Sequence, residues 1–149
     1  MNPRRGDPRG GKSASAGYSE TPLPQKLGLK SGMRVLALGA PANLDALLRG
    51  APENLVRIGR IAAFDFALAF ATSERALAAT LAKLAPKMVD DGMIWVGWPK
   101  KTSAVTTDLN ENVVRRCGLD AGLVDVKVCA IDAMWSGLKF VRRLRDRYR

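Results

Sequence analysis

The chain has 149 residues, with 24 lysines and arginines, 14 aspartates and glutamates and no histidine, so its formal net charge is +10. This length supports one domain with a hydrophobic core. The lack of histidine excludes catalytic triads and imidazole-ligated metals, and two cysteines are too few for a cysteine-only zinc site, so we expect no metal. No apolar stretch is long enough to span a bilayer, and the N-terminus lacks the apolar core of a secretory signal. We therefore expect a cytoplasmic protein without a membrane partner.

The positive charge is concentrated at the two ends of the chain. Residues 1–30 contain six basic and two acidic side chains, and residues 137–149 contain six and one. Two hypotheses fit this pattern: the basic ends bind the phosphates of a nucleic acid, or they are disordered segments that favour solubility. The candidate nucleic-acid contacts are Arg4, Arg5, Arg9, Arg142, Arg143, Arg145 and Arg147.

Composition divides the chain into a disordered basic tail (1–17), an α/β domain (18–143) and a basic C-terminal tail (144–149). A lead-in segment is followed by an apolar strand over 33–39, whose near-continuous hydrophobicity is typical of a strand buried on both faces. Asn43 is the expected N-cap of a short helix that ends at Gly50. A weak strand is predicted over 55–61.

The second half of the domain repeats this alternation of strands and helices. A buried strand over 64–71 precedes a helix that Thr72 or Ser73 caps, and a third buried strand over 93–98 follows a turn at 90–92. Asp108 resembles the start of a capping box for a helix that Gly118 ends. The alternation over 124–132 predicts a half-solvated edge strand, with its valines on the core face and Cys129 on the polar face.

The last strand, over 138–143, is expected to pair antiparallel with the edge strand. Strands that alternate with helices predict a parallel sheet with right-handed crossovers and a helix layer on each face. The predicted fold class is therefore a trimmed Rossmann-like, three-layer α/β fold, mostly parallel, with a C-terminal antiparallel hairpin.

Two resemblances refine this prediction. Residues 27–39 (LGLKSGMRVLALG) resemble the entry to class I S-adenosylmethionine-dependent methyltransferases, and residues 64–68 and 91–96 resemble the later half of that fold. The motifs Trp-Pro-Lys-Lys at 98–101 and Trp-Ser-Gly-Leu-Lys at 135–139 resemble a family of small bacterial proteins known as a domain of unknown function. The first resemblance implies a methyltransferase-like fold, and the second implies no activity.

The sequence departs from the methyltransferase pattern at the cofactor loop. Residues 39–43 hold one glycine, and Pro41 removes an N–H donor. About two dozen residues separate the first strand from Phe64, where two βα units are usual, and no acidic residue is evident after the second strand to hold ribose hydroxyls. From these departures we expect no cofactor, with S-adenosylmethionine as the alternative.

The carboxyl ends of the predicted strands define a candidate anionic-ligand site, because ligands bind there in open α/β sheets. Its residues are Asn43, Ser73, Trp98, Lys100, Lys101, Thr102 and Trp135. The favoured interpretation is a non-catalytic binding or regulatory module with no identified catalytic residue. The alternatives are a nucleic-acid-associated protein, a divergent S-adenosylmethionine-dependent methyltransferase, and a subunit that needs a protein partner.

Overall fold

The structure, a computed structural model, describes residues 21–148. The predicted tail over 1–17 and its candidate contacts Arg4, Arg5 and Arg9 lie outside the described residues. The described part of the chain contains six strands in one sheet: β1 (Arg34–Leu38), β2 (Val56–Arg57), β3 (Phe64–Phe70), β4 (Met88–Pro99), β5 (Leu123–Ala130) and β6 (Trp135–Arg142).

Four α-helices connect or flank these strands: α1 (Leu23–Leu27), α2 (Leu44–Leu47), α3 (Glu74–Leu84) and α4 (Glu111–Asp120). The strand order is β2-β1-β3-β4-β6-β5. Strands β1, β2, β3 and β4 are parallel to one another, and β6 is antiparallel to both β4 and β5. The predicted fold class is confirmed: this is a Rossmann-like α/β fold with a mostly parallel sheet and a C-terminal antiparallel hairpin.

Each face of the sheet buries its own hydrophobic cluster. Helices α3 and α4 cover one face, where Leu77, Leu81 and Leu84 of α3 lie at helical spacing and are fully buried. The short helices α1 and α2 pack on the opposite face. There, the indole Nε1–H of Trp95 donates to the carbonyl of Leu27 at 2.7 Å, which ties α1 to the middle of β4.

Two predicted boundaries are wrong. The turn expected at 90–92 belongs to β4, which begins at Met88 and bulges between the pairs Phe64–Met88 and Phe66–Met93. Helix α4 is capped by Asn110, whose side chain accepts from the N–H of Val113, and it continues past Gly118 to Asp120. Gly118 is buried in mid-helix because Phe140 packs directly against it.

The predicted faces of the edge strand are also wrong. Strand β5 does lie at the edge of the sheet, but Val126 and Val128 are about half exposed and Cys129 is buried. The cause is a register shift between Asp125 and Lys127 in the pairing with β6. Such a bulge changes which side chains face the core after it, and a sequence pattern of strict alternation does not reveal it.

The residues after β6 fold back along the amino end of β4. A 3₁₀ turn over Leu144–Asp146 follows the strand. The backbone N–H of Tyr148 donates to Asp90 at 2.8 Å, and the Tyr148 hydroxyl donates to the Asp91 carboxylate. The C-terminal segment is thereby attached to the β4 bulge.

Candidate functional site

The strand order reverses between β1 and β3. From β1 the chain first forms β2 on one side and then crosses to β3 on the other side. In open α/β sheets such a reversal leaves a crevice at the carboxyl ends of the two strands, and ligands bind there. In this sheet the corresponding position lies between the loop 39–43, which follows β1, and residues 71–73, which follow β3, and we call this position the crevice.

Gly39 brings the two sides of this crevice close together. Its φ of +64° lies in the left-handed region that favours glycine. A Cβ at this position would lie 2.5 Å from the carbonyl oxygen of Phe70, the last residue of β3. Any side chain here would force the ends of β1 and β3 apart.

The rest of the loop presents unused backbone donors. The N–H groups of Ala40, Ala42 and Asn43 have no hydrogen-bond acceptor within residues 21–148, and all three residues are exposed. Pro41 has no N–H, but its carbonyl accepts from Leu44 and so starts α2. Asn43 stands at the N-cap position of α2 but makes no side-chain cap bond. The loop therefore offers several free donors to a ligand despite having a single glycine.

A carboxylate reaches the end of β2 from the neighbouring helix. Asp45, in the first turn of α2, lies 3.8 Å from a guanidinium nitrogen of Arg57, the last residue of β2. The Asp45 side chain is 93% exposed, so its oxygens are available to a ligand. Sequence reasoning missed Asp45 because the expected acidic residue was sought after the second strand.

The N-terminus of α3 is not a free anion site. Ser73 caps the helix by accepting from the N–H of Ala76 at 3.2 Å. Asp108, from the loop after β4, accepts from the N–H of Glu74 at 2.8 Å. The expectation that Asp108 caps its own helix is therefore wrong, because its carboxylate caps α3 instead.

This loop also contacts the end of β3 directly. The hydroxyl of Thr107 donates to the carbonyl of Thr72 at 2.6 Å. Residues 100–110 therefore extend from the end of β4 towards the crevice, where they form one wall of the carboxyl edge. Neither Thr107 nor Asp108 was predicted to take part in this site.

An open groove lies between this loop and the start of α4. Its two adjoining parts measure about 530 and 330 Å³. Three predicted site residues, Lys100, Lys101 and Thr102, lie along it, and the two lysine side chains make no ion pair within the described residues. The groove is therefore a concave surface with two available ammonium groups, next to the crevice and at the same edge of the sheet.

The two predicted tryptophans pack within the protein. Trp98 is only 5% exposed and belongs to the cluster beneath α3 and α4. Trp135 packs edge-on against Phe70, with ring centroids 5.0 Å apart. The two rings therefore pack on opposite faces of the sheet at its carboxyl edge, and of the two only Trp98 borders the groove.

Arg142 lies at the amino end of the sheet, away from this edge. Its guanidinium donates to the carbonyls of Ala85 and Met88, and its Nε lies 3.7 Å from an Asp90 carboxylate oxygen. Arg143 donates to the carbonyl of Leu119 at 3.2 Å. These two candidate nucleic-acid contacts are thus engaged in the fold.

Arg147 is also engaged, because it donates to the carbonyl of Arg142 at 3.0 Å. Arg145 is exposed. The C-terminal arginines and the candidate site at the carboxyl edge therefore occupy opposite ends of the sheet.

Two absences concern the described residues alone. Within residues 21–148, no helix is both long enough and apolar enough to cross a membrane. The same residues contain no group of three or more histidine, cysteine, aspartate or glutamate side chains that could hold a metal ion.

Sequence comparison and structure comparison gave different results. No family model matches the sequence, and no curated protein matches it, so the resemblance to the small bacterial family stays a prediction. Solved structures do match the fold. A magnesium protoporphyrin IX methyltransferase from Synechocystis with bound SAH (S-adenosylhomocysteine) is 12% identical, with a TM-score of 0.53 over 76% of this chain and 75% of that one.

Two further structures extend this likeness. A ribosomal protein L11 methylase from Lactobacillus delbrueckii subsp. bulgaricus is 12% identical, with a TM-score of 0.52 over 80% of this chain and 74% of that one. CalO1, a methyltransferase in calicheamicin biosynthesis in its SAH-bound form, is 12% identical with a TM-score of 0.62. That match covers 82% of this chain and 52% of the other. The fold is therefore methyltransferase-like.

These matches correct two sequence-based expectations. The non-catalytic module and the absence of a cofactor are wrong interpretations, because the fold is shared with methyltransferases that hold SAH. The expectations relied on the single glycine and Pro41 in the loop 39–43, on the short span before Phe64 and on the lack of an acidic residue after the second strand. The structure instead shows that the fold needs a glycine at one position, Gly39, and that Pro41 lies where its carbonyl is used.

Proposed function

We propose that this chain is a divergent S-adenosylmethionine-dependent methyltransferase that binds its cofactor in the crevice between β1 and β3. The observation that carries this proposal is the loop 39–43. It combines a glycine that cannot carry a side chain with three free backbone donors, at the point where the strand order reverses. The likeness to SAH-bound methyltransferases supports the choice of cofactor.

Each part of the crevice has a separate role in this proposal. The free N–H groups of Ala40, Ala42 and Asn43 donate to polar groups of the cofactor, and Gly39 keeps the ends of β1 and β3 together beside it. Asp45 accepts from the ribose hydroxyls, in place of an acidic residue at the end of β2. When bound, the cofactor supplies an electrophilic methyl group on a sulfonium.

The groove beside the loop 100–110 is the proposed acceptor site. Transfer of a methyl group depends above all on holding the acceptor in line with the sulfonium, so an adjoining concave surface is required. Lys100 and Lys101 favour an acceptor with a phosphate or carboxylate group. The neighbours act on molecules as different as a porphyrin and a ribosomal protein, so the acceptor is inferred from these lysines alone.

Calorimetric titration of the full-length protein with SAH tests the proposal. The wild-type protein should bind in the micromolar range, which corresponds to about −8 kcal/mol. Gly39→Ala should reduce the affinity at least roughly tenfold, equivalent to about 1.4 kcal/mol, because the ends of β1 and β3 must separate. Gly32→Ala is the matched control, since Gly32 has a similar φ of +85° but nothing within 4 Å of a Cβ.

Asp45→Asn provides an independent test of the ribose contact. It should weaken SAH binding without altering the thermal midpoint, whereas Glu53→Gln, a second exposed carboxylate, should leave both unchanged. A wild-type titration without heat at several temperatures, together with no shift of the thermal midpoint by SAH, would contradict the proposal.

A further inference from the structure

A group of lysines lies on the sheet face that carries α1, outside the proposed active site. Lys127 of β5 and Lys139 of β6 are direct cross-strand partners in the antiparallel hairpin. Lys26 and Lys30 flank the turn at Gly28, and the Lys139 ammonium lies 4.0 Å from the position a Cβ of Gly28 would take. We call Lys26, Lys30, Lys127 and Lys139 the lysine face.

The lysine face has no acidic counterpart in the described part of the chain. No carboxylate within residues 21–148 forms an ion pair with any of its four members. The neighbouring Asp125 of β5 pairs instead with Arg115 of α4, across the other face. Lys127 donates to the carbonyl of Lys26 at 3.2 Å, which leaves two of its three donor positions unused.

This arrangement works against the stability of the fold. Like charges directly opposite one another on adjacent strands repel, and burial disfavours a charged amine. Both effects act on Lys139: burial lowers its pKa, and the ammonium groups of Lys127 and Lys30 lower it further. An external anion would relieve the repulsion.

We propose that the lysine face binds the phosphodiester backbone of a nucleic acid. The net charge of +10 favours association with a polyanion, and several lysines with unused donors supply contacts for more than one phosphate. The face belongs to the hairpin β5–β6 and the turn after α1, so it is separate from the crevice and from the C-terminal arginines. This inference does not depend on the proposed enzymatic function.

The test compares two charge-matched double variants of the full-length protein. Lys30→Gln/Lys139→Gln removes two members whose side chains make no hydrogen bond within the described residues. Lys83→Gln/Lys87→Gln removes two exposed lysines at the end of α3 and in the 3₁₀ turn after it. Both variants lose the same net charge, so a difference between them reports position.

Fluorescence anisotropy with a labelled oligo(dT) gives the affinity as a function of salt. Each phosphate contact on a single strand contributes about 0.7 to the slope of log K against log salt, so the lysine-face variant should lose about 1.4 from the slope and bind about twentyfold more weakly at 0.1 M salt. Its thermal midpoint should stay the same or rise, because a repulsion has been removed. The control variant should bind like the wild type.

Three results would overturn the proposal: no binding by the wild type, equal losses in the two variants, or full competition by millimolar inorganic phosphate. SAH titration of the same variants separates this inference from the enzymatic proposal. Unchanged SAH affinity together with lost oligonucleotide binding assigns the lysine face to the nucleic acid alone.

Discussion

At the scale of single residues, position decides what a glycine does. Gly39 lets two strand ends meet, because a Cβ there would collide with a backbone carbonyl. Gly118 lets an aromatic ring meet a helix, because its Cβ would lie 1.9 Å from a ring carbon of Phe140. In sequence both glycines look like ordinary loop or helix-end residues. Their roles become visible only when the element they face is known.

Gly118→Ala should therefore destabilise the protein, although alanine is the better helix former by roughly 0.5–1 kcal/mol. The Phe140 ring extends from β6 against α4 and is fully buried, so it must displace other core side chains to make room. Overpacking of this kind costs about 1–3 kcal/mol. Urea unfolding would measure the loss, with Gly59→Ala, which has nothing within 4 Å, as the control. A Gly118→Ala protein as stable as the wild type would contradict this packing argument.

Asp65 gives a prediction about pH. Its carboxylate accepts from the backbone N–H and the guanidinium of Arg34, at 2.8 and 3.0 Å, and this contact lowers the pKa of Asp65. A carboxyl group whose pKa is lower in the folded state stabilises the protein above its unfolded pKa, about 3.9. That stability is lost as the pH falls through the folded value.

Asp65→Asn should accordingly lower the thermal midpoint by a few degrees at pH 7. The difference from the wild type should shrink as the pH falls below about 4. Thermal unfolding between pH 2 and pH 7 would measure it. A difference that is independent of pH would show that the amide disturbs the packing rather than the charge.

At the scale of elements, the loop 100–110 joins the two halves of the carboxyl edge. Asp108 caps α3 from outside the helix, and Thr107 binds the carbonyl of Thr72. The loop therefore holds the wall of the groove against the end of β3. Its conformation depends on contacts with Thr72 and Glu74, which lie more than thirty residues away in sequence.

Asp108→Ala should cost about 1 kcal/mol, as is usual for the loss of a helix cap. It should also weaken the binding of an anionic acceptor at the groove, because the loop loses one of its two hydrogen bonds to α3 and to the end of β3. Asp120→Ala, an exposed acidic residue at the far end of α4, is a suitable control. Urea unfolding gives the stability change, and amide hydrogen exchange over 100–110 reports whether the loop has loosened. If the exchange rates over 100–110 do not change, the bond to Asp108 stabilises α3 but does not hold the loop in place.

Hydrophobic periodicity predicted most of the strands and helices. The differences between prediction and structure arise from contacts between elements that are distant in sequence. The apolar runs over 33–39 and 64–71 predict β1 and β3 well, because strands buried on both faces are hydrophobic throughout. The bulges between Met88 and Met93 and between Asp125 and Lys127 depend on pairing with β3 and β6, which local patterns do not encode. For the same reason the sequence predicted the lysines of the groove but missed Asp108 and Asp45. Each of these acidic residues acts on an element other than its own.

At the scale of the whole molecule, the two ends of the sheet differ in structure. The carboxyl end holds the crevice and the groove. The amino end is closed by the C-terminal segment, where Arg142 binds carbonyls next to β4 and Tyr148 binds Asp90 and Asp91. The central strands β3 and β4, which connect the two ends, are largely buried, so we expect a change at the amino end to reach the crevice through the core.

A chain that ends at Arg143 should therefore separate stability from cofactor binding. It loses the Tyr148 contacts and the bond from Arg147 to the carbonyl of Arg142, so its thermal midpoint should fall by several degrees. Its affinity for SAH should stay within about twofold of the wild type at 25 °C, since the folded chain keeps the loop 39–43 and Asp45 intact. Calorimetry below the unfolding transition measures the affinity, and differential scanning calorimetry the midpoint. If the SAH affinity falls in parallel with stability, the C-terminal segment acts on the crevice through the length of β4, and the two ends of the sheet form one coupled unit.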